Sequence, residues 1–234
     1  NVLDPGEAPA AAARLRAAGF AKEAGEVIAD AHGLRLNMLM ALITVLRKSP
    51  PRLREGTILA RALTWLDENF DGVPVIPDLL DVVRSAPSEL REAALDRGDD
   101  ARYKEVTEDL EAALIALLPG GEFGDVFSRP TSEPMRRDRA VVFDVSSIPA
   151  SEGDLRAVAL LASWTAGFAT VGIAQTLADV GLEPRRHYFA ILDELHQALK
   201  AGPGLVDRVD YLTRLNRSIG VGLAMITHTL KDLQ

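Results

Sequence analysis

The chain has no cysteine and only four histidines. Without thiols there can be neither a disulfide framework nor a thiolate metal centre, and the histidines are too scattered for a zinc spacing. Positive charge is in deficit as well. A net charge of −8 over 234 residues argues against a nonspecific nucleic-acid coat and leaves room only for a local basic groove. No signal peptide is visible at the start. Long apolar runs are scarce: residues 157–178 form the one segment without a charge that could span a bilayer. Its Ala, Gly, Ser and Thr content, with Gln175 inside, favours a buried core helix over a membrane span.

What remains is globular in composition, 47% hydrophobic and 26% charged, enough for one large domain or two small ones. The opening NVLDPG reads as a strand end or turn, because Asp4-Pro5-Gly6 is a chain-reversal signal. Residues 9–118 then read as almost entirely helical, with apolar residues at helical spacing over 11–31, 34–48, 58–69 and 101–118. Pro50-Pro51, Asp71-Gly72, Pro87 and Gly98 punctuate them. Residues 120–139 read as a connecting loop; their glycines lack the Lys-Ser or Lys-Thr and the helix that a phosphate cradle needs.

Beyond the loop the hydrophobic period changes. The run AVVFDV, residues 140–145, predicts a buried strand, and Ser151 to Asp154 fits a capping box opening the apolar helix. The stretch YFAILDEL, 188–195, predicts a strand buried on both faces with Asp193 and Glu194 at its carboxyl end. A helix follows over 205–218, and a last strand over 221–227. Strand, helix, strand, helix, strand implies a parallel α/β sheet with right-handed crossovers.

Ligands of open α/β sheets sit beyond the carboxyl ends of the strands. That edge would collect Asp144 with Ser146, Asp193 with Glu194, and Thr227 with His228. Adjacent carboxylates there suit phosphate chemistry, Asp193 holding Mg²⁺ through its water and Glu194 orienting an attacking water. The plainer alternatives are acids that cap the next helix and a histidine that caps a turn. Along 205–218, Asp207, Asp210, Arg214 and Arg217 lie opposite Leu205, Val209, Leu212 and Leu215. They read either as a solvated stripe or, for Arg217 and Arg214, as an arginine finger.

Taken together, NVLDPG, the helical stretch, GEFGDVF followed by PT, VVFDVSSI, YFAILDELHQAL and RLNRSIGVGLAMITHTLKDL resemble one family. It is the motor domain of the VirB-four/TraC ATPases of type IV secretion and conjugation, in the HerA and FtsK branch of RecA-like P-loop motors. The resemblance implies a partial RecA-like α/β core at 1–8 and 139–234, an all-helical insertion at 9–118 and a connector at 119–138. It implies Asp193 and Glu194 as the Walker B pair, Thr227 and His228 as sensors, and ATP with Mg²⁺ as cofactors. A hexameric homo-oligomer is implied too, cytoplasmic and docked at the inner face of the membrane on secretion-channel components, acting on DNA or a relaxase-DNA substrate. The family's G-x-x-x-x-G-K-[ST] loop is missing from these residues, so the expectation is a fragment starting after that loop, with little ATPase activity alone. A DNA translocase and a non-catalytic interaction module are the alternatives.

Overall fold

A computed structural model describes residues 1–123, 126–149, 151–193 and 221–227. Among these, seven helices precede two short strands: α1 (Ala8–Ala17), α2 (Ala21–Arg47), α3 (Leu53–Asn69), α4 (Ile76–Ser85), α5 (Ser88–Ala94), α6 (Asp100–Ala116), α7 (Gly153–Asp179), β1 (Tyr188–Leu192) and β2 (Val221–Met225). The chain divides into two compact units. One comprises Asn1–Pro5 and Arg35–Ser132, the other Gly6–Leu34 and Glu133–Gln234.

The first unit is helical because its sequence supplies both the stripe and the stops. In α3, Ile58, Leu59, Ala62, Leu63 and Leu66 recur at three- and four-residue spacing and are all buried. The backbone N–H of Arg52 donates to the Glu55 carboxylate at 2.5 Å, satisfying a donor that the first turn would otherwise leave open. Asp78 does the same for Val75 N–H in α4 at 2.7 Å, and Asp99 caps α6 by accepting from Ala101 N–H at 2.9 Å. Leu3, Leu39, Leu42, Ile43, Leu79 and Leu90 complete the core of this unit. A buried charge, Arg35, lies in a bidentate pair with Asp67, both contacts 2.8 Å.

The second unit packs small residues closely. Ala8, Ala11, Ala12 and Leu15 of α1 meet Ala24 and Val27 of α2 and Ile173 and Leu177 of α7. The helix expected over 11–31 is broken between α1 and α2, because Gly19 takes φ +91° and Phe20 N–H returns to Leu15 C=O at 2.9 Å. The charge-free run lies in α7, and α2 and α7 are both long and apolar enough to cross a membrane by length and composition. Half of the most apolar window of α7 is buried inside the protein. Its start differs from the expected capping box: Glu152 is the N-cap and makes no side-chain cap hydrogen bond.

The expected RecA-like α/β fold is not what the described residues form. They are mainly helical, with one sheet of two parallel strands. Residues 140–145 are not a strand: among the described residues their apolar pattern finds no ladder partner, and Val142 is 87% exposed. A strand needs pairing as well as pattern, since a lone extended segment leaves its backbone groups to water. Nor is β1 buried on both faces. Phe189 and Ile191 are 69% and 60% exposed while Leu192 is buried, so the strand alternates as a one-sided strand does.

Candidate functional site

β1 and β2 pair in parallel with Tyr188 opposite Val221, Ile191 opposite Ala224 and Leu192 opposite Met225. The ladder runs one residue further, since Ile226 N–H donates to Leu192 C=O at 2.9 Å. Because the strands point the same way, both carboxyl ends lie on one edge of the sheet. That edge carries Asp193, exposed, and Thr227, half-buried, the residues next after each ladder end.

Of the other residues expected at this edge, Glu194, His228, Arg214 and Arg217 lie outside the described residues, as does the helix expected over 205–218. Asp144 and Ser146 do not arrive on a strand. Instead Ser146 N–H donates to Asp144 Oδ1 at 2.8 Å in a local Asx turn. That backbone bond, with a second from the Ser146 hydroxyl, holds the Asp144 carboxyl below its ordinary range. Of the site residues expected from the sequence, the described residues place Asp193 and Thr227 at this edge. An exposed carboxylate at a strand end suits a hard cation held through water. Among the described residues no cluster of three His, Cys, Asp or Glu side chains is placed to chelate a metal directly.

A polar cluster that the sequence did not signal lies in the same unit. The Arg137 guanidinium bridges Glu7 at 2.8 Å and Glu183 at 2.7 Å, and Glu183 also accepts from Arg14 at 2.6 Å. Burial pushes the Glu183 carboxyl up, but hydrogen bonds from Arg137 and Arg14, with their charges, outweigh it and leave the carboxyl below its ordinary 4.5. These partners are separated by as many as 169 residues in sequence, so no spacing rule could have joined them.

The first unit has an open groove of about 900 Å³ lined by Arg84, Arg91, Tyr103, Lys104, Glu108 and Ile115, among others. Four of its charges pair with each other, Arg84 with Glu111 at 3.2 Å and Arg91 with Asp100 at 2.6 Å. Tyr103 donates its hydroxyl to Val83 C=O at 2.7 Å, and burial, with the nearby Glu111 charge, pushes its pKa up to about 12.

Compared with known proteins, the chain matches no family model, no curated protein and no solved structure.

Proposed function

We propose that this chain is part of an ATP-hydrolysing motor of conjugative transfer or type IV secretion. The observation that supports the reading is the parallel pairing of β1 with β2, which brings Asp193 and Thr227 to one edge. In this reading Asp193 holds Mg²⁺ through water, and Glu194, the next residue, orients the water that attacks the γ-phosphate. Thr227 and His228 sense that phosphate, and Arg217 or Arg214 reaches the nucleotide of a neighbouring subunit. The metal's part, when bound, is to neutralise charge developing on the phosphoryl oxygens. The motor is a homo-hexamer on the cytoplasmic side of the membrane, docked on channel components, with DNA or a relaxase-DNA complex as its load.

Mg-ATP turnover by the full-length protein and its Glu194→Gln variant tests this. Glu194→Gln is expected to retain nucleotide binding and to lose hydrolysis by about a hundredfold or more, the usual scale for a positioned base. Equal turnover by both proteins refutes the assignment of Glu194. No turnover by either, under any condition, favours a non-catalytic docking module. Strong stimulation by bare duplex DNA, falling steeply with salt, favours the alternative of a ring that translocates duplex DNA, whereas a response to the relaxase-DNA complex alone favours the conjugative motor.

A further inference from the structure

Two parallel strands of five residues do little to fix their own register. A slip by one residue would carry every side chain of β1 to the opposite face, and burial opposes such a slip only where one face is covered. Here Phe189 and Ile191 are exposed on one face, opposite the small partners Gly222 and Ala224. The chief steric key on that face is the Phe189 ring over Gly222, where an added Cβ would come within 2.6 Å of the ring. The other face, with Tyr188, Ala190 and the buried Leu192, opposes a slip, and the segment leading into β1 adds a second constraint at the strand's start.

Arg186, two residues before β1, is held at two points, one through its backbone and one through its side chain. Arg186 C=O accepts from Gln175 Nε2 of α7 at 3.0 Å, and Arg186 Nη1 donates to Arg137 C=O at 2.8 Å. Arg137 is in turn pinned by its guanidinium between Glu7 and Glu183, with Arg14 closing the far side of Glu183 and reaching Leu182 C=O at 3.4 Å. The charges alternate, Glu7, Arg137, Glu183, Arg14, and cancel. Arg137 and Glu183 are 16% and 19% exposed, so solvent screens the central pair only in part.

We propose that this cluster is a register lock for β1, with Arg137 as its central positioning residue. It fixes where β1 begins, and an almost inextensible strand passes that constraint to its other end. Asp193 is thereby held level with Thr227. Alternating ion pairs suit this task because moving one member separates two opposite charges at once. An apolar contact of the same size would tolerate sliding. The consequence for Asp193 rests on the nucleotide reading above; the lock itself does not.

Hydrogen exchange on the full-length protein, with Arg137→Gln, Arg137→Lys and Glu183→Gln, tests the lock. In Arg137→Gln the amides of Tyr188–Leu192 are expected to exchange about tenfold faster, while those of α3 and α7 keep their rates. Arg137→Lys, which restores the charge without the two-pronged geometry, recovers part of the protection. Unchanged exchange in β1 overturns the lock, and so does a uniform acceleration through α7, which would make Arg137 only a general stabiliser. Mg-ATP kinetics on the same variants separate this inference from the functional one. A lower kcat with little change in KM is expected for Arg137→Gln. Faster β1 exchange in a protein with no turnover in any form leaves the lock standing and refutes the motor. Turnover abolished by Glu194→Gln yet untouched by Arg137→Gln, with β1 exchange unchanged, does the reverse.

Discussion

Removing the Glu55 side chain should cost the first unit more than any single exposed charge could. Glu55 is 2% exposed and works twice: Oε1 accepts from Arg47 Nη1 at 2.7 Å, and Oε2 accepts from Arg52 N–H at 2.5 Å. Loss of the backbone contact at the start of α3 is worth about 1 kcal/mol, as for other helix caps. Stripping a buried pair of one partner costs about 3–5 kcal/mol, but the Arg47 side chain is 20% exposed and can turn to water, which reduces this to about 2 kcal/mol. Glu55→Ala should therefore destabilise the unit by about 3 kcal/mol. Glu55→Gln keeps an acceptor for Arg52 N–H and loses the charge, so it should cost only about 1–2 kcal/mol. The two tryptophans allow a clean assay, because Trp65 lies in α3 and Trp164 in α7. Urea denaturation followed by Trp65 fluorescence in a Trp164→Phe background reports on the first unit alone. Equal losses for Ala and Gln, or a loss under about 0.5 kcal/mol for Ala, would refute the two-part account.

Two further predictions concern protons. Because the Glu183 carboxyl is held below its ordinary 4.5, its ion pairs stabilise the second unit above that pH and are lost as pH falls through the lower, folded value. Glu183→Gln should flatten that acid limb of the Trp164 unfolding profile, and an unchanged limb would refute the assignment. Tyr103 should ionise near pH 12 against an ordinary 10.0. Its neutral form is the one burial favours, so its contribution is intact below the ordinary value and is lost as pH rises through the folded value. An ultraviolet titration should lose that late step in Tyr103→Phe, and a late step that persists would assign it to another tyrosine.

Much of the helical part was legible because its signals are local. Ile58 to Leu66 repeat at the helical period, Pro87 and Gly98 stop the chain, and Asp99 caps α6, all within a few residues of each other. The two strands were legible in place and in direction, since short apolar runs joined by a long crossover imply parallel pairing. Their flanking residues Asp193 and Thr227 were legible for the same reason. Residues 140–145 show the limit of this reasoning. AVVFDV carries as strong a strand pattern as YFAIL, yet among the described residues YFAIL gains a partner and AVVFDV does not, and β structure is made by hydrogen bonds to another segment.

Sequence alone determined that residues 9–118 are almost entirely helical and which two acids follow the YFAIL run, because propensity and turn chemistry act over a few bonds, though it missed the break lying between α1 and α2. Tertiary structure alone decided that Phe189 and Ile191 face outward, that AVVFDV pairs with no strand among the described residues, and that Glu7, Arg14, Arg137 and Glu183 meet. Those outcomes depend on which distant segments arrive side by side. Coulomb attraction and ladder hydrogen bonds act only over a few ångströms of space, whatever the separation along the chain.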